Sequence, residues 1–131
     1  MTLHFIGQAT DDDKACMHTA AQSVTAEPFS VKLNQLGLFK RAKILWVGPD
    51  KQPAELLLLH DKLGDALSSC GYECEKRPYR PHVTLKRECT KNNLEGQLFS
   101  IPWAISEFVL VESVAGESGV NYQVLERYPL R

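Results

Sequence analysis

The sequence predicts an α+β fold. Two segments carry apolar residues at helical spacing, and six carry the alternation or the short apolar run of a strand. Their order, β, α, β, β, α, β, β, β, scatters the helices through a mainly antiparallel meander, with helices covering one face and a cleft open on the other. At 131 residues the chain is long enough for one core and too short for two domains. Hydrophobic residues make up 44% and charged residues 24%, which excludes the disordered and membrane-embedded classes. No apolar run approaches the roughly 20 residues of a bilayer span. The opening Met1-Thr2-Leu3-His4 lacks a basic stretch followed by an apolar one, so a cytoplasmic protein is expected.

Residues 2–6 read as the first strand, with Thr2 and His4 on one face, Leu3 and Phe5 on the other, and Gly7 ending it. Thr10 before Asp11, Asp12 and Asp13 is a helix N-cap with acids in the first turn, where the helix dipole favours negative charge. Cys16, Met17, Ala20, Ala21 and Val24 continue that helix until Pro28. Phe29, Val31 and Leu33 then alternate with polar residues as a half-buried strand. The stretch 37–41 is a connection, and 42–47 an apolar strand closed by the turn Gly48-Pro49-Asp50.

Pro53 suits a helix start, after which Leu56, Leu59, Leu63, Leu67 and Cys70 form one stripe that stops at Gly71. His60 lies beside that stripe and reads as a half-buried helix histidine. Residues 72–76 alternate as a short extended piece, and 90–96 are polar loop. Residues 103–113 form the longest strand, with Phe108, Val109, Leu110 and Val111 apolar on both faces as in a central strand. A turn at Gly116-Glu117-Ser118-Gly119 leads to a final strand through Tyr122, Val124 and Leu125.

The four cysteines, Cys16, Cys70, Cys74 and Cys89, have neither Cys-x-x-Cys spacing nor the density of a disulfide scaffold, so reduced, buried thiols are expected. A zinc set of Cys70, Cys74 and His82 is the alternative, disfavoured because it straddles a helix end and a strand.

Chemistry concentrates in Pro78-Tyr79-Arg80-Pro81-His82-Val83-Thr84-Leu85-Lys86-Arg87. The two prolines disfavour helix, so His82 stands at the start of a strand on which His82, Thr84 and Lys86 share a face. Lys76, Arg77, Arg80, Lys86, Arg87 and Lys91 crowd the same region, against Glu88 alone, in a chain of net charge -1. That local excess suits an anionic ligand.

The run Pro81-His82-Val83-Thr84-Leu85-Lys86-Arg87 resembles the second signature of the two-histidine phosphoesterases, in particular the bacterial RNA 2′,3′-cyclic phosphodiesterases, historically called 2′-5′ RNA ligases or LigT-like proteins. Thr2-Leu3-His4-Phe5-Ile6-Gly7 resembles the first signature from its threonine onward, which puts that signature's histidine at the position before Met1. Leu45-Trp46-Val47-Gly48, Ser106-Glu107-Phe108, Ser113 and Tyr122 extend the likeness over the whole chain.

The resemblance implies two lobes of mainly antiparallel sheet around a central cleft, with helices on the outer faces. It also implies a single domain, residues 1–131, that lacks the family's opening strand, first helix and first catalytic histidine, and that self-associates through the open lobe. The expected chemistry is metal- and cofactor-free hydrolysis of RNA 2′,3′-cyclic phosphate ends or small cyclic nucleotides, with two imidazoles as acid and base. The resemblance assigns His82 to proton acceptance, Thr2 and Thr84 to phosphate contact, and Arg87 and Arg80 to anion binding, while Phe39 stacks on a base or packs. The competing expectation is a nucleotide or RNA-end binding module in which the same residues only bind. His4 lies two strand pairs from the first signature's histidine, about 13 Å away at about 3.3 Å per residue, too far to replace it in proton transfer.

Overall fold

The structure is a computed structural model and describes residues 1–117 and 119–131. Its elements, in order, are α1 (Asp11–Gln22), β1 (Phe29–Leu33), β2 (Gln35–Phe39), β3 (Ile44–Gly48), α2 (Ala54–Ser68), β4 (Val83–Lys86), β5 (Ile101–Ile105), β6 (Glu107–Gly116) and β7 (Gly119–Pro129). This is an α+β architecture, with every described strand pair antiparallel. The sheets are β1–β5, β2–β3–β4 and β6–β7. No helix among the described residues is long and apolar enough to cross a membrane.

Both helices form and begin where the local chemistry directs, but α1 ends at Gln22, short of the expected run through Val24 to Pro28. Thr10 accepts the Asp13 N–H at 3.1 Å while the Asp13 carboxylate accepts the Thr10 N–H at 2.9 Å, a reciprocal cap that satisfies two backbone donors. Those bonds, the backbone one first, hold the Asp13 carboxyl below its ordinary value. In α2 the leucine stripe is buried as the spacing predicts, and Gly71 past its end takes φ +84°, a conformation that favours glycine.

The stripe serves two cores. Leu59, Leu63 and Leu67 pack with Met17 and Ala21 of α1, with Phe108, Tyr128 and Leu130. Leu56, one turn earlier, packs with Val31 and Leu33 of β1 and Val47 of β3, and Leu3 touches both clusters. The second core lies against the face of the β2–β3–β4 sheet formed by Leu36, Val47 and Val83, opposite the face of Trp46 and Thr84.

Several expectations are corrected. Residues 2–6 form no strand: a strand needs a ladder partner, and here the Thr2 carbonyl accepts the Tyr79 hydroxyl at 2.8 Å, while Phe5 is 80% exposed. Residues 72–76 are irregular too. The connection at 37–41 is largely strand, since Gln35–Phe39 pairs with β3 from Gln35↔Gly48 to Phe39↔Ile44. The long strand at 103–113 breaks at Ser106; β5 pairs with β1 and β6 with β7, in different sheets. As β6 belongs to a two-stranded sheet it is no central strand: Phe108 is buried, whereas Val109 and Val111 are exposed. In the expected turn at 116–119, Ser118 lies outside the described residues.

The thiols are corrected as well. Cys16 of α1 and Cys70 beyond α2 form a disulfide across 54 residues, leaving Cys74 exposed and Cys89 buried as free cysteines. Packing of α1 against α2 brings together cysteines whose spacing gave no sign of it. The pairing also withdraws Cys70 from a zinc set with Cys74 and His82.

Candidate active site

The β2–β3–β4 sheet sets the geometry. Trp46 on β3 lies opposite Gly37 on β2 and Thr84 on β4. Residues opposite each other in a ladder share a face, so Trp46, Thr84 and, by alternation, Phe39 and His82 stand together. The register shifts between Leu45 and Trp46, which pairs Lys86 with Leu45 and takes Lys86 out of the expected row with Thr84. Gly37 makes room for this arrangement, because a Cβ there would overlap the Trp46 indole.

His82 immediately precedes β4 and is half-buried. Its Nδ1 lies 2.8 Å from the Arg80 carbonyl oxygen, which only accepts, so Nδ1 carries the hydrogen and donates. In the neutral ring Nε2 is then the atom with a free lone pair. The ring stands edge-on to Phe39, with centroids 5.1 Å apart at 87°, and to Trp46 at 6.3 Å and 63°. Phe39 and Trp46 themselves stack at 5.3 Å. Edge-to-face contacts with a rigid aromatic pair and one hydrogen bond to backbone hold the imidazole orientation. Buried Pro81 anchors the turn before it, its carbonyl so close to β3 that a Cβ on Gly48 would stand 2.6 Å away.

A cavity of about 230 Å³ opens in front of these rings, lined by His82, Arg80, Phe39, Trp46, Gln35 and Asp50 among others. The Asp50 carboxylate accepts from Asn34 at 3.0 Å and from the Lys51 N–H at 2.7 Å. These bonds, that from Asn34 first, hold its carboxyl below the ordinary value and keep it an anion at neutral pH. The Trp46 Nε1 atom is buried without a hydrogen-bond partner among the described residues.

Of the residues expected from sequence, the structure gathers His82, Arg80 and Phe39 in one cavity and sets Thr84 on the same sheet face, opposite Trp46, though not on the cavity lining. Thr2 is exposed and is linked to this region through Tyr79, and Arg87 follows the last residue of β4 and does not line the cavity. Sequence reasoning missed Trp46, Gln35 and Asp50. The signal for Trp46 was a large aromatic opposite a glycine, legible only once the β2–β3 register is known, and Gln35 and Asp50 carried none.

His4 is committed elsewhere. Its Nε2 donates to the His60 carbonyl at 2.8 Å and its Nδ1 faces the Tyr72 hydroxyl at 3.3 Å. The ring stacks on His60 with centroids 4.1 Å apart, and His60 stacks on Tyr79, also at 4.1 Å. Burial pushes the His4 imidazole below its ordinary value and the Tyr79 phenol well above its own. Among the described residues, no three His, Cys, Asp or Glu side chains group as metal ligands.

A family model described as the 2′-5′ RNA ligase superfamily matches residues 1–117. A protein of Escherichia coli strain K12 named RNA 2′,3′-cyclic phosphodiesterase is 25% identical over 131 residues, covering 99% of this chain and 74% of its own length. One of the same name from Aeropyrum pernix is 34% identical over 97 residues, covering 72% and 55%. The crystal structure of E. coli LigT complexed with 3′-AMP superposes with a TM-score of 0.89 at 25% identity, over 98% of this chain and 75% of that one.

Proposed function

The chain belongs to the 2′-5′ RNA ligase superfamily, and from that membership and the His82 geometry we propose that it acts on RNA 2′,3′-cyclic phosphate ends, hydrolysing them to 2′-phosphomonoesters. The observation that carries the reading is the hydrogen bond from His82 Nδ1 to the Arg80 carbonyl, which leaves Nε2 as a proton acceptor beside an aromatic wall. Supporting it, the two relatives described above are named for this activity, and LigT was crystallised with a nucleotide.

In this mechanism His82 Nε2 takes a proton from water as the water oxygen bonds to phosphorus. The bond from phosphorus to the 3′ oxygen breaks, and that oxygen takes a proton from a second imidazole, which the family resemblance puts at the position before Met1. Histidine titrates nearest neutral pH, so the pair supplies base and acid without a metal. Thr84 and Thr2 hydroxyls donate to the non-bridging oxygens as charge develops there. Arg80 and Arg87 attract the anion, and the Phe39–Trp46 stack offers a face to the terminal base. The cleft implied by the family's two lobes would run past this face of the β2–β3–β4 sheet.

The test uses a chain carrying a histidine directly before Met1, assayed on a 2′,3′-cyclic mononucleotide. His82→Ala should lower turnover by about 10² to 10⁴ with the circular dichroism spectrum retained. Turnover equal to the parent's would remove His82 from the chemistry. The second reading, a binding module, is favoured by the commitment of both His4 nitrogens to other partners, which leaves that imidazole no part in proton transfer. Measurable affinity for a 2′-phosphorylated nucleotide with no hydrolysis, with or without the added histidine, would select it.

A further inference from the structure

A second cavity, of about 570 Å³, runs along β2 and is bounded on its far side by the loop at residues 92–97. β2 is the edge of its sheet, so this cavity lies against a strand with no neighbour on that side among the described residues. It meets the His82 cavity at the first residue of β2, since Gln35 lines both. A further link is the pair formed by Asn34, on one lining, and Asp50, on the other. Asn34 donates to the Asp50 carboxylate at 3.0 Å and accepts the Asp50 N–H at 2.9 Å. The two cavities are adjoining sections of one surface.

Size separates their roles. At about 230 Å³ the His82 cavity falls below the roughly 300–1,000 Å³ of pockets that enclose a small molecule, whereas about 570 Å³ falls inside that range. The first has room for the reacting end of a ligand, the second for its continuation. The lining of the second matches a nucleotide. The amides of Gln35, Asn92 and Gln97 both donate and accept, as base edges require, and Asn92 Oδ1 is already used by the Leu94 N–H at 3.1 Å, leaving its amino group to donate. Leu94 is exposed and offers apolar surface to a base face, and Lys40 offers one ammonium to one phosphate, with Glu95 also on the lining.

We propose that this second cavity holds the nucleotide on the 5′ side of the cyclic phosphate terminus, so that the chain selects RNA ends over free cyclic mononucleotides. The inference rests on the phosphodiesterase reading of the His82 cavity. Lys40 neutralises the phosphate that joins the last two nucleotides, and the base of the penultimate one lies against Leu94 and the amides.

The experiment measures binding of a 2′,3′-cyclic mononucleotide, of a dinucleotide ending in the same cyclic phosphate, and of that dinucleotide with a free 3′ hydroxyl. The proteins are the 131-residue chain and its Lys40→Gln and Gln97→Ala variants. The cyclic dinucleotide should bind roughly tenfold more tightly than the mononucleotide, the gain expected of one added base and one phosphate contact. Lys40→Gln should remove most of that gain and flatten its salt dependence, Gln97→Ala should remove part of it, and neither should alter mononucleotide affinity. Equal affinity for the two cyclic ligands, or a gain that survives both substitutions, overturns the inference and leaves the phosphodiesterase reading standing. Equal binding of the two dinucleotides overturns the alignment of the cavities. Failure of every ligand to bind overturns the reading of the His82 cavity and the inference with it.

Discussion

His82 and His4 show how a side chain's neighbours decide its use. His82 spends one ring nitrogen on backbone and keeps the other, whereas His4 spends both and is stacked on His60. Because burial lowers the His4 value in the folded chain, the unfolded chain binds that proton first as pH falls, and stability held by the neutral ring is lost below the ordinary value of 6.5. The urea midpoint should therefore fall as pH passes below 6.5, and His4→Phe, which keeps a stacked ring without a titrating nitrogen, should show a shallower fall. An identical slope in the variant would show that other groups set the pH dependence. Gly37 is the second residue whose role is steric. Gly37→Ala would drive a methyl into the Trp46 indole and should cost about 1–3 kcal/mol, read by urea denaturation, with a change in tryptophan fluorescence as the ring shifts. A neutral substitution would mean that the indole has room to move and does not rigidly support the His82 wall.

At the scale of elements, the pairing of α1 with α2 is both packed and cross-linked. Met17 and Ala21 meet Leu59, Leu63 and Leu67, and the Cys16–Cys70 bond joins the middle of α1 to the residue just past the C-cap of α2. Closing a chain segment of 54 residues restricts the unfolded ensemble, and on loop length alone the bond is worth about 4 kcal/mol at most. Reduction, or Cys16→Ser, should lower unfolding free energy by about 2–4 kcal/mol. The helical circular dichroism at low denaturant should be retained, because the leucine stripe remains buried. Coincident denaturation curves with and without reductant would show that the packing alone holds the helices.

For the whole molecule, the β6–β7 hairpin carries a long run of exposed apolar side chains. Its two strands form a sheet by themselves, and Val109, Val111, Val114, Val120, Tyr122 and Val124 are all exposed on it. Open strand edges and exposed apolar surface favour pairing between copies. Sedimentation should show a mass that rises with concentration, and Val120→Lys with Tyr122→Lys should shift the equilibrium to monomer. A concentration-independent monomer in the parent chain would show that the twist and the charged side chains of the hairpin already block association.

What the sequence by itself determined lies within a few residues' reach. Thr10 with Asp13 caps α1, the leucine stripe buries α2, and two prolines extend the chain at His82, because capping bonds, helical spacing and proline sterics are local forces. The signature around His82 was readable for the same reason, its histidine just before β4 and its threonine two positions on, within it. Tertiary structure decided what depends on distant partners. Whether residues 2–6 became a strand, whether Ser106 divided one strand or two, and whether Gly37 sat in a ladder all turned on which edges were available to pair. The joining of Cys16 to Cys70 and the meeting of Trp46, Gln35 and Asp50 at His82 likewise required the packed chain. The disulfide and the β1–β5 and β3–β4 ladders join residues that are distant in sequence, so no local pattern encodes them. The candidate cavity beside His82 could be pointed to from sequence, but its walls could be identified only after the three strands had found their register.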